Sequence, residues 1–128
     1  VLKTLSIQKT GKLIGVLGCG GDRDKGKRAQ MGRALNENYE IAIFTSDNPR
    51  SEDPVQILQE MTTGIDLNSQ SKVIVDREAA IEYAVSIAQS GDVLVVLGKG
   101  HESGQEINGV VTHFSDQETL RKKIKAHL

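Results

Sequence analysis

Apolar residues occur along this chain in short uninterrupted runs that alternate with amphipathic stretches. The runs at residues 12–17, 40–44, 73–75 and 93–97 contain few polar side chains, which is typical of strands buried on both faces. The stretches between these runs repeat apolar side chains at helical spacing, as helices that cover a sheet do. We therefore predict an α/β fold, with a Rossmann-like, mostly parallel sheet and helices on both faces.

Start and turn signals refine this prediction. Asp53 before Pro54 predicts a helix N-cap, Asp76 predicts another, and residues 115–118 form a capping box for a final helix that runs to residue 128. The pair Asn-Gly at residues 108–109 favours a tight turn between two short strands. The fold is therefore expected to end in a C-terminal β-hairpin plus helix, and the most apolar run, 93–97, is expected to be the central strand.

Length and composition narrow the classes of function. The 128 residues are expected to form a single domain, residues 1–128, and because the sequence begins with Val1 we expect it to be a fragment of a longer chain. A net charge of −1 and the absence of Trp argue against nucleic acid, and no apolar run is long enough to cross a membrane. The single cysteine fits a reducing, cytoplasmic location.

Three loops carry the candidate chemistry, and each follows a predicted strand. They are residues 18–28, which are rich in glycine and charge, residues 45–50, Thr-Ser-Asp-Asn-Pro-Arg, and residues 98–102, Gly-Lys-Gly-His-Glu. Right-handed crossovers place the ends of parallel strands at one edge of the sheet, where ligands bind in such folds. We therefore expect the three loops to form one site.

The first loop nearly matches a phosphate-binding pattern, but it departs at important positions. Arg28 stands where a hydroxyl would bind Mg²⁺, and Asp22 and Asp24 would put negative charge beside the phosphates. Arg23 replaces the third glycine of the dinucleotide-binding pattern. Two interpretations remain: the charged side chains face a ligand that is held mainly elsewhere, or they form a solvated surface loop.

The other two loops offer groups that suit an amino acid. Asn48 and Arg50, on either side of a rigid proline, could bind a carboxylate, and Glu102 could accept hydrogen bonds from an ammonium group. His101 is more typical of a structural residue than of a catalyst, and Cys19 is more typical of a packed side chain than of a nucleophile. The chain shows no metal-site spacing and no candidate catalytic residue.

Together, the sequences of these three loops closely resemble the C-terminal domain of the Mur ligases. Within that family they resemble the members that add meso-diaminopimelate to UDP-N-acetylmuramoyl-L-alanyl-D-glutamate in peptidoglycan synthesis, and thus in cell wall biogenesis. The resemblance implies an ATP-dependent ligase in which an acyl phosphate is attacked by the incoming amine. It also implies that ATP and Mg are bound mainly by a central domain outside this sequence, so that this fragment is inactive without the central and N-terminal domains.

The resemblance also implies roles for individual residues. Arg23 and Arg50 would bind the carboxylate at the non-reacting end of meso-diaminopimelate, with support from Asn48, while Glu102 and the Gly98 carbonyl would bind the ammonium group there. Asp47 belongs to the same substrate-binding set. Two further residues are expected near ATP: Asp22 at the ribose and Arg28 in its neighbourhood.

Two alternatives stand beside this interpretation. The chain could belong to another amide ligase, such as a folylpolyglutamate synthase or a cyanophycin synthetase-like protein, although these are not expected to carry Asn48, Pro49 and Arg50 together. It could also be a stand-alone module that binds an amino acid. An upstream phosphate-loop domain in the parent gene would favour the ligase.

Overall fold

The structure is a computed structural model, and it describes residues 11–19, 27–49, 51–89, 91–97, 104–107, 110–113 and 115–126. The strands are β1 (Leu13–Cys19), β2 (Ile41–Ser46), β3 (Lys72–Val73), β4 (Val93–Leu97), β5 (Gly104–Ile107) and β6 (Val110–His113). The helices are α1 (Arg28–Asn38), α2 (Pro54–Met61), α3 (Arg77–Ile87) and α4 (Asp116–Ala126). This alternation of strands and helices confirms the predicted α/β fold.

The first four strands form a parallel sheet in the order β3-β2-β1-β4. In its middle, Leu17 of β1 lies between Phe44 of β2 and Leu97 of β4. The strands β5 and β6 pair antiparallel, and Ile107 lies opposite Val110, so only residues 108–109 connect them. This pairing confirms the predicted hairpin, and α4 follows it as expected.

The order of the strands differs from the predictions in one respect. The run at 93–97 was expected to be central, but in the described part of the chain β4 pairs with β1 alone and its residues are only half-buried. The central strands are β1 and β2, in which every residue is buried. For the described residues the prediction is therefore wrong. An apolar run indicates that both faces of a strand are covered, but it does not indicate how many strands flank it.

Helices cover both faces of the sheet, as predicted. Since successive strand residues point to opposite faces, β1 directs Leu13 and Leu17 toward one layer and Ile14 and Val16 toward the other. The first layer is completed by α1 and α2, and the second by α3, against which α4 packs. No helix of the described residues is both long enough and apolar enough to span a membrane.

The predicted helix starts are confirmed by their hydrogen bonds. The Asp53 carboxylate accepts a hydrogen bond from the Val55 amide at 3.0 Å, and the Asp76 carboxylate accepts one from the Ala79 amide at 3.1 Å. At the last helix the Ser115 hydroxyl accepts a hydrogen bond from the Glu118 amide at 3.3 Å. These caps fix where α2, α3 and α4 begin.

Candidate functional site

The carboxyl ends of β1, β2 and β4 lie at the same edge of the sheet, which we call the carboxyl edge. Cys19 at the end of β1 pairs with Ser46 at the end of β2, and Leu97 at the end of β4 pairs with Leu17. The three candidate loops therefore leave the sheet from adjacent points, as the sequence predicted.

Three of the eight predicted site residues, Asp47, Asn48 and Arg28, are described by the structure. The other five lie outside the described residues: Asp22, Arg23, Arg50, Gly98 and Glu102. Asp47 and Asn48 come directly after β2 at the carboxyl edge and are half-buried. Both positions agree with a ligand-binding role, which stays a prediction.

The loop after β2 is held closely against the sheet at its start. Any Cβ at position 18 would lie 2.6 Å from the carbonyl carbon of Ser46 and 2.7 Å from the Asp47 nitrogen, so only glycine lets β1 approach the loop this closely. Farther along, the Glu52 amide donates to the Pro49 carbonyl at 3.0 Å. The segment that contains Asn48 thus begins and ends at positions fixed by the backbone.

A second contact joins this loop to the hairpin. The side-chain amide of Gln105 on β5 donates to the Asp47 carbonyl at 2.9 Å. In sequence β5 follows the candidate loop at residues 98–102. This bond therefore connects the strand after that loop to the beginning of the loop after β2. The sequence did not mark Gln105 as a site residue.

Arg77 is an extensively bonded side chain at the carboxyl edge, and sequence reasoning missed it. Its guanidinium is fully buried and makes a two-pronged pair with Asp116, with both N···O distances at 2.7 Å. It also donates to the carbonyls of Ser46 and Leu97, each at 2.9 Å. Because these are the last residues of β2 and β4, Arg77 links the starting points of two candidate loops.

Arg28, predicted to lie near ATP, is the buried first residue of α1. Its guanidinium bonds both carboxylate oxygens of Glu52 at 2.9 Å and one oxygen of Glu60 at 2.8 Å. The hydrogen bond to Glu52 is the main reason that the pKa of Arg28 is raised above its ordinary value. This geometry favours a structural role for Arg28, and the prediction of a contact with ATP stays untested.

Cys19 is buried at the end of β1, as expected for a packed residue. Burial raises the pKa of its thiol to about 11, and the positive charge of Arg28 offsets this effect only in part. The thiol therefore stays protonated at neutral pH, and a protonated thiol is a poor nucleophile.

An apolar cavity of about 340 Å³ lies between α1 and the sheet, where Leu17, Leu35 and Leu97 contribute to its lining. Its walls offer almost no polar surface, so it does not suit a ligand that carries charged amino and carboxyl groups. The charged and polar groups at the carboxyl edge are the better candidate site.

The described residues contain no group of three or more His, Cys, Asp or Glu side chains that could hold a metal ion.

Comparison with known proteins supports a single family. Residues 1–100 match the family model described as Mur ligase, glutamate ligase domain. The chain is 50% identical over 125 residues to a UDP-N-acetylmuramoyl-L-alanyl-D-glutamate–2,6-diaminopimelate ligase from Chlorobium phaeobacteroides, and this match covers 96% of the chain and 24% of the relative. It is also 50% identical over 130 residues to the protein of the same name from Streptomyces coelicolor, covering 98% of the chain and 26% of the relative.

A solved structure of a ligase with that name superposes on the chain with a TM-score of 0.93 at 47% identity. The superposition covers 98% of this chain and 26% of the ligase, so the chain spans about a quarter of the length of the relatives it matches. The family model, the sequence relatives and the solved structure agree, and the chain belongs to the Mur ligase family.

Proposed function

We propose that this chain is the amino-acid-binding domain of a ligase that adds meso-diaminopimelate to UDP-N-acetylmuramoyl-L-alanyl-D-glutamate. The observation that carries the proposal is the match across nearly the whole chain, at 50% identity, to relatives named for that reaction. The names of these relatives favour this reaction over the folylpolyglutamate synthase and binding-module alternatives.

The geometry of the carboxyl edge is compatible with this substrate. Meso-diaminopimelate carries an amino group and a carboxylate at each end. Its non-reacting end therefore needs a cationic side chain for the carboxylate close to an anionic side chain for the ammonium group. The loop after β2 begins with Asp47 and Asn48 and continues to Arg50, while the segment after β4 contains Gly98 and Glu102. Both leave the same edge of the sheet, which allows one loop to bind the carboxylate and the other the ammonium group.

The same chemistry predicts discrimination against lysine. Lysine lacks the distal carboxylate, so its binding would leave the guanidinium groups of Arg23 and Arg50 desolvated without a partner. A site built for a polar group rejects an analogue that lacks this group by about 10⁴-fold, because the unpaired group is costly. We therefore expect the ligase to prefer meso-diaminopimelate strongly.

ATP and Mg²⁺ are assigned in this proposal to the rest of the longer protein. Two acidic residues of the glycine-rich loop disfavour a phosphate cradle there. The role of this chain is then to bind and orient the amino acid whose amine displaces phosphate from the activated carboxylate.

The test uses the full-length protein that contains this chain. Phosphate release is measured with ATP, Mg²⁺ and UDP-N-acetylmuramoyl-L-alanyl-D-glutamate, with meso-diaminopimelate or L-lysine as the amine, and the product is identified by mass. The proposal predicts turnover that depends on meso-diaminopimelate and is lower by orders of magnitude with lysine. No turnover with either amine, or turnover with a folate substrate and glutamate instead, would overturn it.

A pair of variants tests the assignment of the carboxylate contact. Arg50→Ala should raise the KM for meso-diaminopimelate strongly, because a two-pronged charge contact is lost. Arg33→Ala is the matched control, since Arg33 is an exposed arginine on the outer surface of α1. If both variants keep the wild-type KM, Arg50 is not part of the site.

A further inference from the structure

We propose that Arg77 is a positioning residue, which holds the two amino-acid-binding loops at a fixed separation. The inference rests on the proposed function and extends it to a side chain that lies beneath the site. Arg77 itself need not touch the substrate, because two of its hydrogen bonds end on the backbone carbonyls where the loops begin.

The hydrogen bonds of Arg77 connect strands that are not neighbours. In the sheet β1 lies between β2 and β4, so the last residues of β2 and β4 have no direct backbone pairing with each other. Arg77 donates to the carbonyl of Ser46 on one side and to that of Leu97 on the other, each at 2.9 Å. Its guanidinium therefore joins the origins of both loops across the strand between them.

Asp116 fixes the orientation of this guanidinium. Both of its carboxylate oxygens bond Arg77 at 2.7 Å, one to Nε and the other to an Nη, and both side chains are buried. With the fork oriented in this way, the remaining N–H groups point toward the two carbonyls. Lysine lacks a planar fork and could not reproduce four directed hydrogen bonds.

Gln105 adds a second connection between the same two regions. Its side-chain amide donates to the Asp47 carbonyl, one residue beyond the Ser46 carbonyl that Arg77 bonds. Two successive carbonyls at the start of the loop after β2 are thus hydrogen-bonded. Arg77 of α3 bonds the first, and Gln105 of β5 bonds the second. The hydrogen bonds of Arg77 and of Gln105 therefore both connect the loop after β2 to the region around the end of β4.

The substrate gives a reason for this coupling. The amino and carboxylate groups at the non-reacting end of meso-diaminopimelate share one carbon atom, so their separation is fixed by covalent geometry. If one loop binds the carboxylate and the other the ammonium group, the loops must keep a matching separation. A displacement of about 1 Å between them can cost up to about 100-fold in a positioned reaction.

The test compares Arg77→Lys with Lys123→Gln in the full-length ligase. Arg77→Lys should raise the KM for meso-diaminopimelate about tenfold or more, and leave the KM for the UDP-linked substrate unchanged. Lys123→Gln is the control, because Lys123 also joins α4 to α3, through Glu78, without bonding the loop origins. A purely structural role for Arg77 would lower the fraction of active enzyme and kcat, with no change in either KM.

A second variant keeps the proposal testable if Arg77→Lys does not fold. Gln105→Met keeps the length of the side chain but removes the amide donor to Asp47, and no buried charge is left behind. It should raise the same KM severalfold, since one directed hydrogen bond to the loop is lost. The positioning role is overturned if the wild-type enzyme turns over normally and Gln105→Met leaves the KM for meso-diaminopimelate unchanged. If Arg77→Lys folds, its KM must be unchanged as well. Absence of wild-type turnover overturns the proposed function instead.

Discussion

Arg28 and Arg77 occupy matching places at the carboxyl edge, on opposite faces of the sheet, but they are held by different kinds of partner. Each is the first residue of a helix and is almost fully buried, at 2% and 0% exposure. This position is unfavourable for a cation, because the N-terminal end of a helix carries partial positive charge. Each therefore needs acceptors.

The acceptors decide what each arginine holds in place. Arg28 bonds two carboxylates, those of Glu52 and Glu60, whose side chains are 16% and 31% exposed. Arg77 bonds one buried carboxylate and two backbone carbonyls at the ends of strands. Flexible side chains can adjust when a partner changes, whereas strand ends cannot move without moving the loops that follow. We therefore expect Arg28 to contribute mainly to stability and Arg77 to stability and loop geometry together.

The largest expected effect is on folding, from removal of the carboxylate partner of each arginine. Asp116→Ala leaves Arg77 buried without a counter-charge, which should lower the free energy of unfolding by about 3–5 kcal/mol. Glu52→Ala leaves Arg28 paired with Glu60 and should cost about 1 kcal/mol. Urea unfolding of the 128-residue chain, followed by circular dichroism, measures both. Equal losses would show that the two arginines are energetically equivalent.

An intermediate effect is expected from Gly18→Ala, which pushes on the backbone that Arg77 holds. The added Cβ would lie within 2.7 Å of Ser46 and Asp47 backbone atoms, and overpacking of this kind costs about 1–3 kcal/mol. In the full-length ligase it should raise the KM for meso-diaminopimelate. Gly15→Ala is the comparison, because its Cβ would meet the Tyr39 ring, far from the loop origins. A KM raised equally by both substitutions would argue against a local displacement of the loop.

Arg28→Lys should have a smaller effect. It keeps the charge beside Glu52 and Glu60 and loses the two-pronged geometry, so the expected cost in stability is about 1 kcal/mol. If Arg28 is structural, as its bonds favour, the KM for ATP in the full-length ligase stays unchanged. A KM for ATP raised tenfold would instead support the ATP contact that the sequence predicted.

The smallest effect is expected for the ion pair of Lys123 and Glu78, which joins the same helices as Arg77 and Asp116 and in which the Glu78 side chain is 47% exposed. The hydrogen bond from Lys123, 3.1 Å long, lowers the pKa of Glu78 below its ordinary value of 4.5. A lowered folded-state pKa means that the stabilisation is present above the ordinary value and is lost as the pH falls through the folded-state pKa. Lys123→Gln should therefore reduce stability slightly at pH 7 and not at all once Glu78 is protonated, as thermal unfolding at several pH values would measure. A loss that persists at low pH would rule out this ion pair as its cause.

Local signals predicted most of the fold. The apolar runs, the caps at Asp53 and Asp76 and the Asn-Gly pair each depend on a few adjacent residues. The structure confirms the strands at 12–17, 40–44 and 93–97, both caps, and the strand pairing on either side of residues 108–109. The run at 73–75 was predicted to be a buried strand, but β3 is the exposed pair Lys72–Val73. The position of β4 at the end of the described sheet depends instead on which strands pair, and the hydrophobic pattern of one strand carries no information about its neighbours.

The contacts beneath the site could not be predicted because they are distant in sequence. Arg77 bonds residues that lie 20, 31 and 39 positions away. Asp116 was placed in a capping box, where its neighbour Ser115 makes the cap and Asp116 itself pairs with Arg77. One signal was available, since arginine is an unfavourable first residue for a helix, and such a local inconsistency often marks a tertiary or functional constraint.

A double-mutant cycle between Arg77 and Arg50 in the full-length ligase tests the connection between positioning and binding most directly. If Arg77 acts by placing the loop that carries Arg50, the fall in kcat/KM for meso-diaminopimelate in Arg77→Lys/Arg50→Ala will be smaller than the product of the two single effects. The parallel cycle of Arg28→Lys with Arg50→Ala should give a simple product. A simple product for Arg77 as well would contradict the account, because it would show that Arg77 and the amino-acid site act independently.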